Sequence, residues 1–435
     1  MTRIRRDRRS RFGLRAFGAL GSVLLLTIAL AACGGDDDKK SSDSGGSTGS
    51  TVPRPTGAPI KLGNISTITN PVISAKPLVD ATQAWIDYIN DELGGVANRP
   101  LELVTCDDQG QAALSIQCAN NLLDQGVVGF VGQWSLAFGA NALPTVEQAG
   151  AAVFGGLPIT PQEWNSPVEF PTTPGAAGNY PVMAIAMRAE GAENIAILSP
   201  DTPAAAVTNK QVGDLWPTIG GDDFKAVTFT ATAPDFTPAA SSVVADNPDG
   251  VIIGSGGTTA VRLIQALGNV GYNGMLAATG LILVPEVEEQ ASAELEGMLF
   301  TLPSPLSADS GDFKDQSELY ERIMKQNDLP KTQETIIAAS GMQYVYDVLK
   351  SVSGEIDRTT TLAAAKAMTS WPGFLTHAMS DDFAPEGFSA VRNPYMTVVK
   401  YKGQNEDVEP IEIKGFDEYS SEQNGITFIS AFKKK

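Results

Sequence analysis

Gln133, Trp134 and Ser135 stand where a short apolar run, Val127 to Val131, gives out at Gly132. A carboxamide, an indole and a hydroxyl at the carboxyl end of a buried strand can hydrogen-bond and stack on a small molecule without transforming it. Trp134 either stacks on a ligand or covers the strand end. Ser135 either bonds a ligand carboxylate or caps the helix that follows. A second polar turn, Gly254 to Thr259, follows the buried run Val251 to Ile253. Its Ser255, Gly256 and Thr258 resemble a phosphate cradle, but the spacing fits neither G-x-G-x-x-G nor a P-loop with its lysine, so no nucleotide is expected. Asp201, ahead of Thr202-Pro203, either takes a ligand amine or hydroxyl or belongs to a helix cap.

Residues suited to catalysis are scarce. His377 is the single histidine of the 435-residue chain, with no acid–base partner placed near it by any motif. Neither G-x-S-x-G nor H-E-x-x-H occurs. Cys106 and Cys118 have no histidine or further cysteine nearby, which argues against a metal pair. The expectation is binding rather than turnover, with no cofactor and no metal.

The elements that must position these residues follow from the pattern. Leu101 to Thr105 is an apolar run ending in the turn Cys106 to Gly110. Positions Ala113, Ile116, Ala119 or Asn120, and Leu123 then recur at helical spacing, and Gly126 closes that helix ahead of Val127 to Val131. Strand, helix and second buried strand make a βαβ unit with its strands parallel. Ligands of open parallel sheets sit outside the carboxyl ends of the strands where the strand order reverses, and Gln133-Trp134-Ser135 occupies such an end. The alternation begins at Ile60 to Ile65, followed by a helix carrying Leu78, Thr82, Trp85 and Ile89 on one face. It resumes beyond a Pro-rich stretch, Pro158 to Pro174, read as a crossing without periodicity. Strands are expected at 195–198, 227–230, 251–253 and 275–278, then helices over 313–326 and 335–352, then a strand over 395–401.

The net charge is −19, and residues 1–32 carry seven Arg against one Asp, so the remainder stands near −25. That acidity argues against nucleic acid or anionic lipid as a direct partner. Arg3 to Arg15 is a basic leader, and Phe17 to Ala32 is apolar but short for a membrane span. Leu30-Ala31-Ala32-Cys33 is similar to the lipobox of bacterial lipoproteins, which implies cleavage before Cys33 and acylation of its thiol. Gly34 to Gly57, rich in Gly, Ser and Asp, is expected to be a disordered tether. In an exported chain Cys106 and Cys118 either form a disulfide or remain two buried thiols.

The chain as a whole resembles the solute-binding lipoproteins of branched-chain amino-acid ABC transporters, the leucine/isoleucine/valine-binding type with a type I periplasmic fold. The resemblance rests on IKLGNIST from Ile60, on WIDYINDELGGVANRPLELVTCDDQ from Trp85, on DFTPAASSVVADNPDGVIIGSGG from Asp235, and on the order of elements from Ile60 to Gly403. It implies an α/β fold of two Rossmann-like lobes joined by a three-segment hinge. Residues 58–176 plus 302–386 would form one lobe and residues 177–301 plus 387–435 the other. It also implies capture of a small molecule for an ABC permease, on the extracytoplasmic face of the membrane. By position it assigns the ligand's carboxylate to Gln133-Trp134-Ser135 and Gly155-Gly156-Leu157. In the second lobe the family places a tyrosine and an acid where this chain has Ala204-Ala205-Ala206 and Thr279-Gly280. Either another acid replaces the missing partner of an ammonium group, or the ligand is not an amino acid. A sensor that signals its closure to a receptor is the alternative use of the same cleft.

Overall fold

The structure, a computed structural model, describes residues 52–70, 73–303, 313–403, 408–411 and 413–434. The leader, Cys33 and the first part of the expected tether lie outside them. The last part of that stretch is no tether. Gly57 donates its N–H to Asn98 O at 2.8 Å, and Arg54 pairs with Asp91 at 3.0 Å, so the chain is fastened to the fold before the first strand begins.

Strand β1 (Ile60–Ser66) pairs in parallel with β2 (Leu101–Asp107) along its whole length. Between them α1 (Lys76–Glu92) buries Leu78, Thr82, Trp85 and Ile89, the face its spacing predicts. Helix α2 (Ala112–Asp124) follows its expected stripe in part: Ala119 and Leu123 are buried, with Ser115, Cys118 and Leu122 beside them, while Ala113 is exposed and Ile116 is 41% exposed. The Cys106–Cys118 disulfide, with Cα atoms 5.6 Å apart, holds Cys118 against β2 and fixes which face turns inward. Strand β3 (Gly129–Val131) leads into a π-helical turn, Phe138–Ala142, continuous with α3 (Leu143–Gln148), and β4 (Ala152–Phe154) follows. The Pro-rich stretch is more than a crossing. It contains α4 (Pro161–Asn165) and β5 (Glu169–Phe170), which completes a five-stranded sheet in the order β2-β1-β3-β4-β5.

Helix α5 (Ala176–Ala189) then opens a second sheet. It is followed by β6 (Ile195–Pro200), α6 (Pro203–Leu215), β7 (Phe224–Phe229), α7 (Thr237–Val244), β8 (Gly250–Ile253) and α8 (Gly257–Asn269). Strand β9 (Met275–Thr279), a 3₁₀ turn at Gly280–Ile282, α9 (Pro285–Leu295) and β10 (Leu299–Leu302) continue it. Strands β6, β7, β8, β9 and β10 are parallel, and β6 and β8 read as continuous apolar runs because both their faces are covered. Helices α10 (Lys314–Gln326), α11 (Gln333–Ser351) and α12 (Arg358–Ala367) come next. Tyr320 and the apolar face of α11 join the first sheet's core beside Trp85, Phe154 and Phe170. A short hairpin, β11 (Ser370–Trp371) with β12 (Met379–Ser380), precedes β13 (Tyr395–Tyr401), which lies antiparallel to β10. Strands β14 (Val408–Pro410), β15 (Ser420–Gln423) and β16 (Ile426–Ser430), unseen in the sequence pattern, extend the second sheet to nine strands.

Each sheet is sandwiched by helices. Helices α1 and α11 cover one face of the first, and α2 and α3 the other. Helices α7 and α8 cover one face of the second, and α5 the other. Three segments pass between the sandwiches: the stretch after Phe170, the stretch after Leu302 and the stretch before Tyr395. The first and third are tied together, Asn393 Nδ2 donating to Thr172 O at 2.8 Å and also to His377 O at 3.1 Å.

The interlobe cleft as candidate functional site

The strand order reverses beside β1 in the first sheet and beside β6 in the second, where neighbouring helices leave on opposite faces. Crevices at the carboxyl ends of strands open at such points. Two of the passing segments leave from the carboxyl ends of β5 and β10, which turns these ends of the two sheets toward one another. The contact is direct. A Cβ on Gly280, just after β9, would lie 2.8 Å from Gln333 Oε1 at the start of α11, and Leu281 packs against the first sheet's core.

On the first sheet the Gln133–Ser135 turn is fixed by a buried polar network. Asn64 donates to Val131 O and Gly132 O, both at 2.8 Å. Trp134 N–H donates to Ser66 Oγ at 3.3 Å, and Thr67 N–H to Trp134 O at 3.0 Å. Asp108, fully buried, accepts from Thr67 Oγ1 at 2.8 Å, from Gly110 N–H at 2.9 Å and from the Ser135 hydroxyl. Ser135 Oγ also accepts from the N–H groups of Ala137 and Phe138 at 3.0 Å. Its donor and lone pairs are therefore in use, and its observed work is to cap the π-helical turn and to satisfy Asp108. Trp134, 8% exposed, lies within the apolar core around Phe154 and Leu157. Gln133 differs: it is 4% exposed, and neither atom of its carboxamide has a hydrogen-bond partner.

The loop after β4 comes close to this turn because two glycines permit it. A Cβ on Gly156 would fall 2.4 Å from Gln133 O, and one on Gly155 would fall 2.6 Å from Gly341 Cα in α11. Both sit at positive φ, 77° and 61°. Leu157 N–H donates to Gln133 O at 2.9 Å, locking the two loops together.

On the second sheet, the residues singled out by sequence separate. Thr279, at the end of β9, is 2% exposed with an unpartnered hydroxyl. Gly256 is the N-cap of α8 without a side-chain cap, so the first N–H groups of a 13-residue helix are open to an acceptor. Ser255 is half-buried beside it, and Leu281 Cβ lies 3.8 Å from where a Gly256 Cβ would be. Thr258 and Asp201 are exposed. Thr202, not Asp201, supplies the cap of α6, accepting from Ala205 N–H at 3.2 Å.

Four further residues, outside those the sequence singles out, carry such groups. The Thr172 and Thr173 hydroxyls after β5, both atoms of the Gln333 carboxamide and Glu334 Oε2 are buried without partners. The threonines directly follow a sheet strand, and Thr332-Gln333-Glu334-Thr335 reads as a polar helix start ahead of an apolar run. Those are the local signals that mark them. Burial lifts the Glu334 pKa to about 7, opposed by hydrogen bonds from its own backbone and from Thr332. An unpartnered buried polar atom costs about 1–3 kcal/mol. Those of Gln333 lie at the contact with Gly280, and a group left so is satisfied only when something else supplies its partner.

His377 lies elsewhere. Its Nδ1–H donates to Ala378 O at 3.0 Å, its Nε2 accepts from Ser421 Oγ at 2.9 Å, and its ring stacks near Tyr395, centroids 4.2 Å apart. Burial depresses its pKa, so it is a neutral structural imidazole.

Comparison with known proteins agrees with this architecture. A family model described as periplasmic binding protein matches residues 59–405. No curated protein matches the chain. Among solved structures it is similar to the leucine-binding protein LivK of Thermotoga maritima, at 18% identity over 81% of this chain and 98% of that one, TM-score 0.68. It is also similar to the branched-chain amino acid transporter substrate-binding protein LivJ of Streptococcus pneumoniae in complex with isoleucine, at 15% identity, 81% and 99% coverage and TM-score 0.67. An ABC transporter solute-binding protein of R. palustris in complex with 4-hydroxybenzoate gives 17%, 81%, 96% and 0.65. At these identities the likeness is one of fold.

Proposed function

Because the chain belongs to the periplasmic binding protein family, we propose that it is an extracytoplasmic solute-binding protein that captures a small polar molecule between its two sheets and delivers it to an ABC permease. The observation that carries this reading is the set of unpartnered buried groups on both sides of the cleft: Gln133, Thr172, Thr173 and Gln333 against Thr279. In an open form, water satisfies these groups. In the closed form only a ligand can, so the ligand's affinity is concentrated in the closed state, and that difference drives closure. The groups are amides and hydroxyls, with open helix N–H groups at Gly256, which suits a compact polar or partly aromatic solute. Retention at the membrane through acylated Cys33 completes the proposal.

A thermal-shift panel of amino acids, amides and aromatic acids tests it, since a ligand bound to the folded state raises the melting temperature by mass action. The decisive variant is Gln133→Met. It removes two unpartnered polar atoms at similar volume, so the ligand-free melting temperature is expected to hold or rise while the ligand-induced shift is lost. A shift retained in full by Gln133→Met places the ligand elsewhere.

A further inference from the structure

The first turn of α11 carries two adjacent buried side chains with polar atoms that no group among the described residues satisfies. Gln333 is 1% exposed and Glu334 4% exposed, and the Gln333 carboxamide and Glu334 Oε2 have no partner. Gln333 Oε1 is the atom that approaches Gly280 across the cleft, so this turn belongs to the contact between the two sheets. Among the described residues no cation reaches Glu334. The influences on it are burial, its own backbone N–H and Thr332, and the side chains of α1, α10 and α12 add no charge to that set. Its titratable neighbour on α10 is Tyr320, whose hydroxyl lies 2.6 Å from Thr335 Oγ1 and whose own pKa is raised chiefly by burial. The cations near this turn are paired with other acids, Lys331 with Glu321 at 2.9 Å and Arg322 with Glu92 at 2.6 Å.

A buried carboxyl without a counter-charge is tolerated where a function needs it. We infer that Glu334 is a specificity-determining residue of the cleft: it receives a positively charged group of the solute, with Gln333 beside it as a neutral acceptor, and gives up its proton when it does so. The inference rests on the cleft reading above. Its chemistry balances simply: the neutral carboxyl of the empty site loses its proton to solvent, and the resulting carboxylate pairs with the arriving cation. Because the group titrates near neutrality in the empty protein, capture of a cationic solute is weaker in acid and stronger in base. The sequence pattern offered no acid after β9, where Thr279-Gly280 stands. Glu334 supplies one from the opposite side of the cleft.

The test uses the full-length protein, the protein amino acids, and the 2-hydroxy acids with the same side chains, which lack only the ammonium. Thermal shifts are read at pH 6 and pH 8 for the wild type, Glu334→Gln and Gln133→Met. The expected result is a wild-type shift from amine-bearing members, with affinity about tenfold higher at pH 8 than at pH 6. Glu334→Gln should fold with an unchanged or higher ligand-free melting temperature, bind at least about tenfold more weakly, and lose the pH dependence. Calorimetry at pH 7 in two buffers of different ionisation enthalpy should show about half a proton released per ligand in the wild type and none in Glu334→Gln. If the 2-hydroxy acids bind as well as the amino acids, or Glu334→Gln binds unchanged, the inference is overturned while the cleft reading stands. If Gln133→Met keeps the full shift, or no member shifts the wild type, the cleft reading falls and takes the inference with it.

Discussion

Ser135 shows how a residue type that suits ligand chemistry can be wholly engaged in structure. Its hydroxyl donates to Asp108 and accepts from two N–H groups of the turn that follows. Ser135→Ala therefore removes a cap and one of the partners of a buried carboxylate, and should lower stability by about 1–3 kcal/mol in chemical denaturation. Because the turn it holds also carries Gln133, ligand affinity should fall in parallel. A variant of native stability would show that the network around Asp108 is not what holds the turn. Gln133 is the converse case: among the described residues its carboxamide has no partner that would justify its burial.

At the level of elements, the close passage of the loops after β3 and β4 depends on the absence of a side chain at Gly156. Gly156→Ala would place a methyl group against the Gln133 backbone at a positive φ of 77°. It should cost more than about 1 kcal/mol in stability and abolish ligand shifts, read by denaturant unfolding and thermal shift together. Normal stability with normal binding would mean that the two loops do not meet as described. The strands and helices of the first sheet were largely legible, because buried parallel strands read as unbroken apolar runs closed by glycine, and α1 carries a clean stripe. Helix α4 and strand β5 were not, since a two-residue strand has no periodicity. Yet Thr160 and Glu163 form a capping box, Thr160 N–H donating to Glu163 Oε2 at 2.9 Å, and that motif was present in the sequence. On α2 the spacing pointed correctly to Ala119 and Leu123 but also to Ala113 and Ile116, which are exposed, while disulfide-bonded Cys118 is buried. Of the site, Gln133 and Thr279 could be placed from the strand ends that carry them. Gln333, Glu334, Thr172 and Thr173 could not, because a polar helix start or a threonine after a strand does not by itself tell which groups the chain crossings bury.

Across the whole molecule, the order of elements foretold two sheets with helices on both faces, and the structure has them, linked by three segments. The account's central claim is that one solute is held between the carboxyl ends of both. A competing location exists. A cavity of about 400 Å³ lies at the amino ends of β6 and β7, lined by Asn194, Asp223, Lys225 and Asp246, away from every unpartnered group of the cleft. Hydrogen–deuterium exchange with and without a solute that raises the melting temperature separates the two directly. The account predicts added protection together at residues 132–136, 155–158, 255–259, 279–283 and 333–337, on both sheets at once. Protection confined to one sheet, or centred on residues 194–196 and 223–225, would contradict it.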